Sequence, residues 1–344
     1  MRPIKRLAAT AALALALPLA ACGGGSADPT ESADGSQGAD LPATIRIGYQ
    51  IIANGDLVVK NQGLLEAAFG PDVKIEWSLF DSGGNVNQAM LAGSLDIGLV
   101  GSSPVARGLS SGIEYIVPWV HDVIGDAESL AVKPGITSLA DLKGKTVATP
   151  FSSTAHYSLL GALDDAGIAQ SDVTIIDSEP TAILAAWQAG QIDAAWVWNP
   201  VLAELLADDG TLLVSNADMA AKGKTTYDLA TVSKKFADAY PAAVQIWVDQ
   251  QAAAVDQILA GEQRAYDSIA AEAGKTPDEA REQMKGLIYA NAQDQASDDY
   301  LGRTVPDDIF ATAEFNLGLG TITNLLAEAD YKAAVVATYA ADVP

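Results

Sequence analysis

The sequence is poor in the groups that much protein chemistry relies on. Its single cysteine, at position 22, excludes an intramolecular disulfide and a cysteine-ligated metal centre. Its two histidines, His121 and His156, exclude a multi-histidine metal site. Basic residues number 20 against 44 acidic ones. That deficit argues against a nucleic-acid partner, because phosphate binding relies on Lys and Arg. It also removes long-range attraction for an anionic solute, so any anion site must work through local dipoles. Beyond Ala21 no long apolar run occurs, and the body of the chain is expected to be soluble.

What is present begins with an export signal. Arg2, Lys5 and Arg6 precede an uncharged Ala/Leu-rich run, Leu7 to Ala21, which has the length of a signal-peptide core (residues 1–21) and not of a membrane span. The run ends in Leu19-Ala20-Ala21-Cys22, the pattern of a bacterial lipobox, which makes Cys22 the expected lipidation site. Residues 22–43 are Gly, Ser, Ala, Asp and Pro with hardly an aliphatic residue, and read as a flexible acidic tether. The expected location is therefore the outer face of a membrane, held by a lipid. Removing Arg2, Lys5 and Arg6 leaves 17 basic residues against 44 acidic, a net charge of −27.

Strand and helix patterns alternate from Thr44 onward, which argues for parallel or mixed sheets covered on both faces. Strands are expected over 44–50, 73–80, 95–100, 115–117, 130–133, 145–148, 173–176 and 194–197, with one helix over Asp56–Phe69. From Lys234 the strand signals vanish and Ala-rich helices dominate, expected to cover the outside of one lobe. A partial internal repeat relates Gln88–Ile97 to Ala185–Ala194: a helix stops at glycine, and a Leu-Asp or Ile-Asp pair opens a strand. Recurrent helix-Gly-strand turns arise by physics alone, but the matched spacing favours two lobes of similar build.

Two strand-to-helix turns carry the chemistry. Phe151-Ser152-Ser153-Thr154-Ala155-His156 lies between a strand and a helix, and Gly101-Ser102-Ser103-Pro104 repeats the arrangement earlier in the chain. A helix start offers unpaired N–H groups and the positive end of its dipole, and can hold an anion without a basic side chain. Ser and Thr are also ordinary N-caps; the second copy is what points to a ligand. Ligands in open α/β sheets sit beyond the carboxyl ends of strands. That rule makes Gln50, Asp81, Ser82, Glu128, Trp198 and Asp228 candidates beside Ser102, Ser103, Ser153, Thr154 and His156. Glu128 and Asp228 suit an ammonium group, although surface acids are common in this chain. Trp198 suits a cation–π wall, while Trp196, its neighbour but one, is expected in the core.

On Phe80-Asp81-Ser82-Gly83, Leu99 to Pro104, Glu128 to Lys133, Phe151 to Leu160, Ala185 to Gly190 and Val197-Trp198, the chain resembles the substrate-binding proteins of bacterial sulfonate transporters, nearest the taurine-binding branch. The resemblance spans nearly all of the chain after the tether. It implies a two-lobed α/β fold of the periplasmic-binding-protein type II class, with lobe 1 over 44–127 plus 229–344 and lobe 2 over 128–228. It also implies two crossovers, a ligand cleft that closes by hinge motion, no cofactor, and an ABC permease with its ATPase as partners of a monomeric receptor. Sulfonate oxygens would be met by Ser102, Ser103, Ser153, Thr154 and His156, and a taurine amine by Glu128 and Asp228. The chain departs from the family pattern at Ala53-Asn54, His121-Asp122 and Ala155. Other alkanesulfonates and small anions such as nitrate are the alternatives. An enzyme on the same fold is a third reading; relatives of that kind look to use cysteine, and here Cys22 lies in the lipobox.

Overall fold

The computed structural model describes residues 41–344; the signal peptide, the lipobox with Cys22 and most of the tether lie outside the described residues. Among the described residues eleven strands form two mixed sheets. The first contains β1 (Thr44–Tyr49), β2 (Lys74–Leu79), β3 (Ile97–Gly101) and β4 (Tyr115–Ile124). The second contains β5 (Glu128–Val132), β6 (Thr146–Thr149), β7 (Thr174–Asp177), β8 (Ala194–Trp198) and β9 (Thr211–Ser215). β10 (Tyr227–Ser233) and β11 (Leu287–Ile288) return to the first sheet. The orders are β11-β4-β10-β3-β1-β2 and β7-β6-β8-β5-β9. This is the two-lobed α/β fold expected from the sequence, with a cleft between the lobes.

The lobes share a plan. Each has three parallel strands, β2-β1-β3 and β7-β6-β8, followed by two antiparallel ones, β10-β4 and β5-β9. The fourth strand of each lobe lies beside a crossing: β5 comes directly from the first lobe, and β10 directly from the second. The internal repeat falls on equivalent places. Helix Gly83–Leu91 ends before Gly93 (φ 68°), and helix Pro180–Gln188 before Gly190 (φ 67°), both in the left-handed conformation that glycine adopts at no steric cost. The aspartate that follows has one task in both copies. Asp96 Oδ2 accepts from the Arg46 N–H at 2.9 Å, and Asp193 Oδ2 from the Thr146 N–H at 2.8 Å, tying the start of β3 to β1 and that of β8 to β6.

The helices after Lys234 pack on first-lobe elements: Pro241–Leu259 and Gln263–Ala273 against Gly55–Gln62, and Thr304–Gly318 against Ser102–Ser110. Four local expectations change. The helix expected over 56–69 is two, broken at Gly63 (φ 64°). β4 runs on to Ile124, because Trp119, Val120, His121 and Asp122 are all buried against β10. β9 adds an edge strand to the second sheet, and β11 places a two-residue strand in the helical tail. Trp196 is fully buried, as the alternation along β8 implies. Among the described residues no helix is long and apolar enough to cross a membrane.

Candidate functional site

Between the lobes lies a cavity of about 500 Å³, open space at its mouth included. Three helices begin on it. Gly83 opens the helix after β2, Gly101 caps the helix after β3, and Ser153 caps helix Thr154–Asp165 after β6. Neither the Gly83 nor the Gly101 helix has a side-chain cap hydrogen bond, so their first N–H groups keep their donor capacity. The lobes approach closely here: a Cβ on Gly101 would stand 2.7 Å from Thr154 Cγ2. Among the described residues no lysine or arginine lines the cavity. Its anion-binding potential is therefore that of backbone dipoles.

Glu128 and Asp228 also line the cavity. Glu128, opposite Trp198 in the β5–β8 register, is 2 % exposed. Its Oε2 accepts from Thr154 Oγ1 at 2.8 Å and its Oε1 from Asn216 Nδ2 at 2.6 Å. Burial pushes its pKa up to about 8, against the lowering effect of the Thr154 bond, with Asp228 adding to the rise. Burial likewise pushes Asp228 up to about 7, although its bond with Asp122 opposes the rise. Asn216 ties the wall together: it accepts from Trp196 Nε1 at 2.9 Å and donates to Thr226 Oγ1 at 2.8 Å as well as to Glu128.

Of the residues singled out from sequence, Gln50, Glu128, Ser153, Thr154, Trp198 and Asp228 meet at the cavity. Gln50 is anchored there by its donation to the Leu99 carbonyl at 3.1 Å. The other five do not line it. Ser102 Oγ accepts from the Tyr227 N–H (3.2 Å) and Ser103 Oγ from Asn316 Nδ2 (3.4 Å), so both hydroxyl oxygens are held by first-lobe donors. Asp81 is exposed, and Ser82 donates to Glu179 at 3.2 Å, on the rim. His156 stacks on Phe151, with ring centroids 4.4 Å apart, and burial lowers its pKa to about 4, leaving it uncharged at neutral pH. Nor do Ser153 and His156 form a nucleophile–base pair. Ser153 Oγ donates to the Pro150 carbonyl (2.6 Å), and His156 Nδ1 accepts from the Ser152 N–H (3.4 Å).

Residues that sequence reading did not single out share the wall: Gly83, Gly101, Ala127, Asn199 and Gln283 are among those that line the cavity, and Asn216 stands behind Glu128. Gly101 and Gly83 were visible as the small residues at the strand-to-helix turns. Asn216 carried no local signal beyond its place after β9.

Comparison with known proteins agrees with this fold. The NMT1-like family model matches residues 39–273. The taurine-binding periplasmic protein of Escherichia coli is 32% identical over 277 residues, covering 79% of this chain and 85% of the relative. The alkanesulfonate-binding protein SsuA from Xanthomonas axonopodis pv. citri, solved bound to MOPS, superposes with a TM-score of 0.72 at 25% identity, over 85% of this chain and 99% of its own. The desulfurization enzyme DSZB matches with a TM-score of 0.62 at 16% identity, over 88% of this chain and 99% of its own, which is a likeness of fold alone.

Proposed function

The chain belongs to the NMT1-like family, and from that premise we propose that it is the extracytoplasmic solute-binding receptor of an ABC importer whose ligand is taurine. One observation carries the choice of ligand: uncapped helix starts and buried carboxylates face one small cavity that no basic side chain lines. A sulfonate suits the N–H groups at Gly83, Gly101 and Ser153, which can share its charge over three oxygens. An ammonium group suits Glu128 and Asp228, with Trp198 as the wall between. Closing the lobes removes water and strengthens each of these bonds. The receptor reading needs no group to be transformed, and the arrangement of Ser153 and His156 offers none. Delivery is to a membrane permease driven by its ATPase, with the receptor monomeric and tethered through a lipid on Cys22.

A second reading, a broader alkanesulfonate receptor, is favoured by the match to the Xanthomonas protein. Titration calorimetry with taurine, ethanesulfonate and β-alanine separates the two. Tight taurine binding with both analogues much weaker is the expected result. Equal binding of ethanesulfonate would remove the ammonium role of Glu128 and Asp228, and binding of none would refute the sulfonate reading.

A further inference from the structure

Behind the cavity wall stands a residue that the binding reading leaves unused. Asp122, on β4, is the register partner of Asp228 on β10, so the two carboxyls are cross-strand neighbours on one face of the sheet. Asp122 is 1 % exposed and does not line the cavity, whereas Asp228 does. Asn54 Nδ2, from the turn after β1, donates to Asp122 Oδ2 at 3.4 Å, while Oδ1 has no donor among the described residues. Two ionised carboxylates cannot share a buried site without a cation, and one of them keeps its proton. A proton on the pair would also supply the donor that Asp122 Oδ1 lacks.

We infer that Asp122 is a positioning residue that shares a proton with Asp228, and that an ammonium group entering the cavity displaces this proton to solvent. The step balances simply. A carboxyl O–H bond breaks, the proton leaves to water or buffer, and the ligand's ammonium group, keeping its own protons, becomes the counter-charge of the ionised pair. Asp122 thereby ties recognition of a cation to loss of a proton, and a ligand with no cationic end gains nothing from the exchange.

The groups around the pair do not supply that counter-charge. Glu128 faces it from β5 and Tyr289 from the segment after β11; Asp56 acts on Asp228 from helix Gly55–Gln62, and each is acidic or neutral. His121, next to Asp122 on β4, has its Nε2 3.8 Å from Asp56 Oδ2, and burial lowers its pKa. Burial holds Asp122 well above the ordinary carboxylate range, with the charge of Asp228 acting in the same direction.

The inference rests on the ammonium subsite proposed above, and one experiment separates the two. Taurine is titrated into the protein near neutral pH in phosphate and in Tris, whose ionisation heats differ, so that the difference in observed heat counts the protons released. Up to about two protons per taurine are expected, one from the pair and one from Glu128, with none for ethanesulfonate. In Asp122→Asn taurine should still bind, with about one proton fewer released. Taurine binding with the same heat in both buffers overturns the inference and leaves the function standing; this comparison needs no variant. Undiminished release from Asp122→Asn overturns the role of Asp122. Absence of taurine binding sinks the ammonium subsite itself and the inference with it.

Discussion

Glu179, at the start of helix Pro180–Gln188 in the second lobe, accepts a hydrogen bond from Asn85 Nδ2 in the first lobe at 2.8 Å. Ser82 Oγ donates to the same oxygen at 3.2 Å. The contact spans the rim of the cleft, and at another point between the lobes Lys275 Nζ lies 2.7 Å from Glu204 Oε1. Both contacts join the two lobes, so both favour the arrangement in which the lobes lie together. The Lys275–Glu204 pair is partly exposed and screened by salt, and its share is small.

Glu179→Ala is therefore expected to weaken taurine binding about three- to tenfold, the worth of a lost pair of partly buried hydrogen bonds. It touches no ligand in the proposed site, so the ligand-free melting temperature should change little. Calorimetry and small-angle scattering of the variant check this. Unchanged affinity together with an unchanged radius of gyration would show that the rim contact does not set the closed population.

Gly101→Ala tests the close approach of the lobes. The added methyl would meet Thr154 Cγ2 at 2.7 Å across the cleft. Overpacking of this size costs on the order of 1–3 kcal/mol where neighbours cannot move. Here they can move, by keeping the lobes apart. Loss of taurine affinity by about tenfold or more is expected with a near-normal melting temperature of the ligand-free chain. A drop in melting temperature without loss of affinity would place the strain inside the first lobe instead.

How much of this was legible in the sequence depends on the range of each contact. The glycine stops at 93 and 190 and the aspartates at 96 and 193 follow local rules, and their repeat was readable as two similar lobes. The turns at 101–104 and 151–154 were readable as helix starts for the same reason. The direction of a hydroxyl was not. Ser102 and Ser103 are turned away by Tyr227 and Asn316, which lie 125 and 213 residues further along the chain. The pairing of Asp122 with Asp228 depends on β10 returning from the second lobe to lie beside β4, and no local pattern announces it. The break at Gly63 had a local signal, a glycine inside a helical pattern, that periodicity alone overrides.

Asn216→Ala removes the residue that joins Trp196, Glu128 and Thr226. It leaves the Trp196 N–H and a buried carboxyl oxygen without partners, at a cost of about 1–3 kcal/mol each before relaxation. A loss of several degrees in melting temperature is expected. The Asn216 bond also lowers the Glu128 pKa, so the variant should raise it further and weaken taurine binding at neutral pH. Stability and affinity equal to the unsubstituted chain would mean that water replaces the amide fully.

The same carboxyls predict how stability varies with pH. Glu128, at about 8, and Asp228, at about 7, bind protons more tightly in the folded chain than in the unfolded one, where carboxyls titrate near 4. Their contribution is fully present below about pH 4 and is lost as pH rises through about 7 to 8. His121 and His156 act in the opposite sense. Burial depresses both, so their contribution is present above the unfolded value of about 6.5 and is lost as pH falls. Among these groups only the carboxyls titrate above about 6.5, and the ligand-free melting temperature should therefore fall between pH 6.5 and 8.5. Glu128→Gln, which removes the higher of the two carboxyls, should flatten that descent. Saturating taurine should flatten it as well, because the ammonium group stabilises the ionised wall. A melting temperature that rises across this range in the ligand-free chain would show that the wall is already ionised and that its carboxyls find a counter-charge without the ligand.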